Sequence, residues 1–469
     1  MITAAQRRSV PPCDSPPQLM DPYTGEERGR APVDPPAEIE RVLERAHRAF
    51  RMWRAVGSAD RACLVSALRD RLDVVERSLA ALVTEEMGKL YREALGEVES
   101  VRRQCAWLCD KGPRALAPES VTAGDRRFEV HYCPLGVVLI VMPWNFPVWQ
   151  VLRTALPLLL AGNAVVLKHA PNVPECARAL GALMTDAGYP PGLFTNVFAD
   201  NDTTLDIVRH PLVAGVSFTG GRAAGSLIGG AAGAVLKKSV LELGGNDAWI
   251  LMDGCRVETV VGAVADARLR NCGQSCLGPK RVLVHRSLYA DVRDRLAEAF
   301  SSRRPGPPMD PATRLAPMAK HSLRDGLDAK LAECRRFGDR VVTGGAPLPG
   351  PGAFYAPTVL ETQGFGSPVW NDEFFGPVVA VAPFDGLREA VDMANATPYG
   401  LGGVVFDPDA DRAARIVRDG LRVGVGAVNE RAGSHPAVPF GGAGASGYGR
   451  EMGVAGLREF TLVKTIRLR

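Results

Sequence analysis

GVVLIVMPWNFPVWQVLRTALPLLLAGNAVVLK, residues 136–168, contains the most hydrophobic run of the chain, and its reading decides the fold. Arg153, Pro157 and the Gly162–Asn163 break cut the part from 148 to 168 into pieces too short to cross a bilayer, which takes about 20 consecutive apolar residues as a helix. The stretch therefore reads as a β-rich run (136–142), a buried helix, a turn and a buried strand (163–168). Working outward, FTNVFA (194–199), AGVSF (214–218) and DAWILM (247–252) are further short β-rich runs separated by helix-length segments. Such alternation predicts a largely parallel sheet covered on both faces. After residue 276 the pattern repeats with RVLVH, RVVTGG, VVAVA and GVVF, which predicts a second α/β domain. Upstream, AEIERVLERAHRAFRMW (37–53) sets Ile39, Val42, Leu43, Ala46, Phe50 and Trp53 at helical spacing, so the first quarter is expected to be helical. RRFEVHYC (126–133) and FTLVKTIRLR (460–469) alternate instead and read as arms outside the main sheets.

The 469 residues suit about two to four domains at roughly 100–200 residues each. A net charge of +4 with no block of one sign gives no footprint for nucleic acid. Ten cysteines without a CxxC pair make neither a disulfide framework nor a zinc site, and no metal is expected. The opening MITAAQRRSVPPCDSPP has two arginines but no apolar stretch behind them, so it reads as a disordered tail and not a secretory signal. A reducing, cytoplasmic setting follows. Function must then come from a pocket.

No GxGxxG follows a strand and no GxxxxGK[ST] occurs. SFTGGRAAG (217–225) runs from a strand into Gly220, Gly221 and Gly225, which taken alone reads sooner as a tight structural turn than as a helix N-terminus brought up to a pyrophosphate. In RNCGQSCLGPKR (270–281), Cys272 and Cys276 are four apart, a spacing that by itself leaves metal, disulfide and nucleophile open.

Read together, MPWNFPVWQ (142–150), VVLKHAPNVP (165–174), LELGGNDAW (241–249), NCGQSCLGPKR (271–281), NDEFFGPV (371–378) and PFGGAGASGYGRE (439–451) resemble the aldehyde dehydrogenase superfamily in order and spacing. Within it, PWNFPVWQVLR and KHAPNVP are most similar to the bacterial succinate-semialdehyde dehydrogenases. The resemblance implies an α/β fold with a Rossmann-like NAD(P)-binding domain (1–114 and 135–244), an α/β catalytic domain (245–451) and a small β oligomerisation arm (115–134 and 452–469). A homodimer or homotetramer is expected, since exposed strands need partners.

The resemblance also assigns roles. Cys276, in GQSC, is the expected nucleophile: a thiolate adds readily to an aldehyde, and the alkoxide it creates can expel hydride. Asn145 and the Cys276 N–H are the expected donors to that alkoxide, and Glu242 the base that activates water against the thioester. At the cofactor, Trp144 and Leu243 are expected along the nicotinamide end, Lys168 with its neighbour His169 at the adenosine ribose, Gly220, Gly221 and Gly225 at the pyrophosphate turn, and Glu373 with Phe375 at the nicotinamide ribose. Two positions depart from the family: Gly221 replaces its usual serine, and Pro171 replaces a glutamate that would grip a ribose 2′-OH and repel a 2′-phosphate, so NADP is admitted beside NAD. Cys272 stands where a small or polar residue is common and reads as inert, with a Cys272–Cys276 disulfide as the alternative.

Arg153, eight residues past Asn145, and Arg270, six before Cys276, match arginines that bind a substrate carboxylate in succinate-semialdehyde dehydrogenases, and an Arg fork suits a carboxylate. Ser434, with Arg431 and His435 in the unusual loop NERAGSHPAVPFGG (429–442), adds anion-binding candidates and leaves room for a larger or phosphonate-like anion. The rival class is a Cys-dependent thioesterase or esterase, which needs Cys276 and Glu242 but neither Lys168 nor Glu373.

Overall fold

The computed structural model describes residues 16–468 apart from 363; the first fifteen residues of the expected N-terminal tail lie outside them. Two sheets organise the chain. The first has six strands in the order Gly447–Tyr448, Lys238–Glu242, Val213–Thr219, Val137–Met142, Ala164–His169, Phe194–Asn196. All its pairings are parallel except the short Gly447–Tyr448 edge. The second has seven, in the order Arg340–Thr343, Thr358–Glu361, Val378–Phe384, Arg281–His285, Ala248–Leu251, Gly402–Phe406, Val425–Val428, parallel except for the first pair.

The 136–168 stretch folds as strand, helix and strand. Val137–Met142 and Ala164–His169 are buried at every position, as both faces of a parallel sheet require, and Trp149–Leu160 is buried all round. Pro157 does not break that helix. Its missing N–H orphans the carbonyl of Arg153, and the Gln104 side chain fills the gap at 2.7 Å. The last turn is closed from outside by Trp53 Nε1 to the Leu159 carbonyl (2.8 Å) and Arg61 to that of Leu160 (2.9 Å). At the break, Gly162 takes φ +93°, and Asn163 accepts from the N–H groups of Leu135 and Gly136.

The predicted N-terminal stripe is a helix, Pro36–Trp53, whose six named apolar residues are all buried. Ser58–Met87 and Tyr91–Ala115 pack on one another and on Trp149–Leu160, and Ser58–Met87 also packs on Pro174–Asp186. The two alternating segments meet: Thr461–Leu468 pairs antiparallel with Arg126–Pro134, which pairs with Glu119–Ala123. Periodicity missed one feature. Residues 440–451, expected with the catalytic segment, reach the first sheet where Gly447 pairs with Glu242, and an isolated bridge from Phe440 to Glu451 closes the segment on itself. Local patterning cannot reveal such a return, because an edge pairing of two residues carries no period of its own.

Candidate active site

Cys276 lies in a loop of unusual backbone. Asn271 and Cys272 both adopt φ +52°, a region L-residues other than glycine rarely occupy, and such strain persists only where surroundings over-determine it. Here they do. The Asn271 N–H donates to Glu93 at 3.0 Å, and its side-chain amide donates to the carbonyls of Asn145 (2.8 Å) and Gln274 (3.2 Å). Gln274 returns a bond to the Asn271 carbonyl at 3.0 Å and accepts from the Ala319 N–H at 2.9 Å. Gly273, at φ +71°, approaches Gly376 so closely that a Cβ would meet its carbonyl oxygen at 2.0 Å. Lys280 closes the far side, donating to the carbonyls of Ser275 (2.9 Å) and Cys276.

The sequence-predicted catalytic residues respond to this frame. Burial pushes the Cys276 thiol up to about 11, against the opposing charges of Lys280 and Arg153. Asn145 is 4 % exposed and donates one amide hydrogen to the Gln274 carbonyl at 3.1 Å. An amide nitrogen has two hydrogens, so one is left to offer. Glu242 is 2 % exposed and neither of its carboxylate oxygens has a hydrogen-bond partner among the described residues. Burial and then the neighbouring Glu451 carboxylate push its pKa well above the ordinary carboxylate range, while Arg153 and Arg450 pull it down. Gly441 makes room for it, since a Cβ there would stand 2.8 Å from Glu242 Oε1. A buried carboxylate with a raised pKa and free oxygens is suited to taking a proton.

At the expected cofactor side, Lys168 is 8 % exposed and its ammonium has no ion-pair or hydrogen-bond partner among the described residues. Burial and then the nearby Lys320 lower its pKa, against Asp200; Lys320 gave no sign of this role in the sequence. Arg222–Ala234 begins at Gly221 with no side-chain cap and no acidic residue in its first turn, an N-terminus open to an anion. A Cβ at Gly221 would meet nothing, whereas at Gly225 it would strike Leu243 at 2.4 Å, so only the second glycine is required by packing. Glu373 accepts from the Gly245 N–H at 3.1 Å and lies 3.6 Å from Lys280. Trp144 and Phe375 meet edge to face at 5.8 Å. An unpartnered buried cation, an uncapped helix start and an aromatic corner fit a dinucleotide. Pro171 is half-buried near this side.

Three expectations change in the tertiary context. His169 is buried and spends both ring nitrogens on the backbone, Nδ1 lying 2.9 Å from the Ala170 N–H and 3.2 Å from the Met142 carbonyl, and Nε2 3.1 Å from the Pro147 carbonyl. With both nitrogens facing backbone groups, His169 is a strut between strand and turn with no nitrogen left for a cofactor. Arg153 is already partnered within the protein. It is 3 % exposed, ion-paired with Glu451 and placed over the Phe440 ring at 4.9 Å. Glu451, which also accepts from Thr154 at 2.6 Å, stood unremarked at the end of PFGGAGASGYGRE. Cys272 is fully buried among Leu315, Met318 and Phe374, a different core from the one against which Cys276 packs. Nine cysteines are free among the described residues, Cys272 and Cys276 among them. Arg270 and Ser434 are half-buried and Arg431 is exposed, and neither guanidinium has an ion-pair partner among the described residues. Burial and then the charges of Arg270 and Arg103 lower the Arg431 pKa.

No helix among the described residues is long and apolar enough to cross a membrane, and no cluster of three or more His, Cys, Asp or Glu among them could hold a metal. The chain is 40 % identical over 466 residues to a succinate-semialdehyde dehydrogenase [NADP(+)] of Deinococcus radiodurans, covering 99 % of this chain and 97 % of that protein. It is 36 % identical to the succinate semialdehyde dehydrogenase [NAD(P)+] Sad of Escherichia coli K12, covering 95 % of this chain and 96 % of the other. The crystal structure of succinic semialdehyde dehydrogenase from Streptococcus pyogenes with NADP+ superposes with a TM-score of 0.93 at 32 % identity, over 96 % of this chain and 99 % of that one. Residues 12–466 match the aldehyde dehydrogenase family, and with the site's geometry this establishes that the chain is a member of that family.

Proposed function

We propose that the protein oxidises succinate semialdehyde to succinate with NADP+ or NAD+ through an acyl intermediate on Cys276. The observation that carries the chemistry is the unpartnered Glu242 carboxylate, buried with a raised pKa in the same site as the Cys276 loop and the spare amide hydrogen of Asn145. The thiol holds its proton at neutral pH, so its deprotonation has to accompany attack, and Glu242 is the matched acceptor. Sulfur bonds to the carbonyl carbon, and the oxygen, now an alkoxide, is held by Asn145 and the Cys276 N–H. When bound, the nicotinamide accepts the hydride that the collapsing alkoxide expels. Glu242 passes the thiol's proton to solvent and is a carboxylate again; it then takes a proton from water, which attacks the thioester and expels the Cys276 thiolate, and that proton returns to the sulfur. Lys168 and Glu373 hold the two riboses, and the uncapped start of Arg222–Ala234 holds the pyrophosphate. Pro171 leaves a 2′-phosphate unopposed, and the Lys168–Lys320 pair favours one.

The substrate reading rests on Arg270 and Arg431, two guanidiniums without ion-pair partners whose charges press on one another. A distal carboxylate relieves that repulsion, with Ser434 as a further donor; Arg153, already neutralised by Glu451, acts on the base instead. The segment 135–244 with the N-terminal helices binds the cofactor and 245–451 carries the nucleophile. The three-stranded arm, which exposes Val121, Leu462, Val463 and Ile466, joins subunits into a homodimer or homotetramer. The free cysteines suit a reducing cytoplasm. Mixing the protein with succinate semialdehyde and either cofactor tests the reading by the ultraviolet absorbance of reduced nicotinamide. Ester cleavage without that absorbance would favour the Cys hydrolase.

A further inference from the structure

The segment 88–97 carries two buried charges that the chemistry above does not use. Gly88 ends the helix Ser58–Met87 in a left-handed turn, and the chain then turns Lys89 inward until its side chain has 0 % exposure. The Lys89 ammonium donates to Glu97 at 2.5 Å and to the backbone carbonyl of Asn145 at 2.8 Å, and stands 3.9 Å over the Phe146 ring. Two of its three hydrogens are thus spent on acceptors and the third faces a π-cloud. Glu97 uses its other oxygen to accept from the N–H groups of Val148 (2.7 Å) and Trp149 (2.8 Å), the first turn of Trp149–Leu160. Lys89 and Glu97 together hold the PWNFP turn from both ends.

One helical turn before Glu97, on the same face of Tyr91–Ala115, Glu93 accepts from the Asn271 N–H at 3.0 Å. Asn271 in turn donates to the same Asn145 carbonyl as Lys89 does, at 2.8 Å. The Asn145 carbonyl therefore receives one donor from Lys89 and one from the nucleophile loop. Its peptide plane, and with it the direction in which the Asn145 amide leaves the backbone, is set by these two bonds.

A buried ion pair contributes little net stability over an apolar pair of the same size, because desolvation offsets the attraction. What it supplies here is direction. We infer that Lys89 and Glu97 are positioning residues that aim the free amide hydrogen of Asn145 at the oxygen developing on the Cys276 adduct. This rests on Asn145 acting as an oxyanion donor, and Lys89 itself touches no reacting atom.

A double-mutant cycle tests it, read as the rate of the first turnover of reduced cofactor, with cofactor affinity from quenching of protein fluorescence as the control. Lys89→Met should slow that turnover by about 10- to 100-fold, with cofactor affinity changed by less than about twofold. In an Asn145→Ala background, where no amide is left to aim, the same substitution should cost less than about threefold. Should Lys89→Met fail to fold because Glu97 is left uncompensated, Lys89→Met with Glu97→Gln removes both charges and should behave the same way. Equal fold-losses in both backgrounds would overturn the positioning role, as would failure of both variants to fold, which would make the pair a folding determinant. Wild-type turnover in Asn145→Ala alone would instead remove the oxyanion reading beneath it.

Discussion

The guanidinium of Arg153 is ion-paired with the carboxylate of Glu451, their side chains only 3 % and 6 % exposed, in the neighbourhood of Glu242. The pair is electrically close to neutral from a distance, but the two charges act on Glu242 with opposite sign. Glu451 raises its pKa and Arg153 lowers it. An arginine matched to substrate carboxylates by sequence thus already has a carboxylate partner within the protein, and its charge acts on Glu242.

Glu451→Gln keeps an acceptor for Thr154 and removes the like charge, leaving Arg153 and Arg450 to act on Glu242 unopposed by it. The Glu242 pKa must fall. Since the base works deprotonated, the acidic limb of the kcat–pH profile should move to lower pH by about one unit. Arg153→Met should move it the other way and cost about 3–5 kcal/mol of stability, because Glu451 is left buried without its counter-charge. Profiles superimposable on wild type would separate Glu242 from this pair.

Cys276→Ala should abolish dehydrogenase turnover, whereas Glu242→Gln should release a single burst of reduced cofactor and stall at the thioester. Rapid-mixing absorbance distinguishes the two. Steady turnover without a burst in Glu242→Gln would move the base elsewhere.

Arg270→Ala and Arg431→Ala should each raise KM for succinate semialdehyde about 10-fold or more, the worth of one charged hydrogen bond, while leaving that for butanal nearly unchanged. Arg153→Met should instead lower kcat for both aldehydes alike. Equal losses of Arg270→Ala on the two substrates would end the anionic-substrate proposal and leave the dehydrogenase chemistry standing.

Pro171→Glu would bring a carboxylate towards the side of Lys168 and should turn the ratio of kcat/KM for NADP over NAD against NADP by about tenfold, since like charges repel across the 2′-phosphate. An unchanged ratio would take Pro171 out of cofactor choice.

Peroxide should inactivate the protein only slowly, because the half-buried Cys276 thiol holds its proton at neutral pH, and without forming a Cys272–Cys276 bridge. The Cys272 thiol is fully buried and its pKa raised chiefly by that burial, with Glu93 adding to it. Peptide mapping by mass spectrometry reads this out, and a recovered cross-linked peptide would show that the loop opens.

The elements legible in the sequence are those whose signal is local. The 136–168 strand–helix–strand unit, the apolar stripe of Pro36–Trp53 and the GQSC loop each announce themselves through hydrophobic period, turn residues or a contiguous motif, because steric and solvation preferences act within a few residues. Motif resemblance added Cys276, Glu242 and Asn145. What only the tertiary structure decided is which charges meet. Arg153 reads as a free cation until Glu451 arrives from the far end of the chain, where its neighbour Thr154 bonds a residue 297 positions away. His169 looks available until the backbone of Met142, Pro147 and Ala170 takes its ring, and nothing in the sequence marks Lys89, which the fold buries against Glu97 and the Asn145 carbonyl. Electrostatic and hydrogen-bond energies depend on separation in space and on the local dielectric, and neither is set by distance along the sequence.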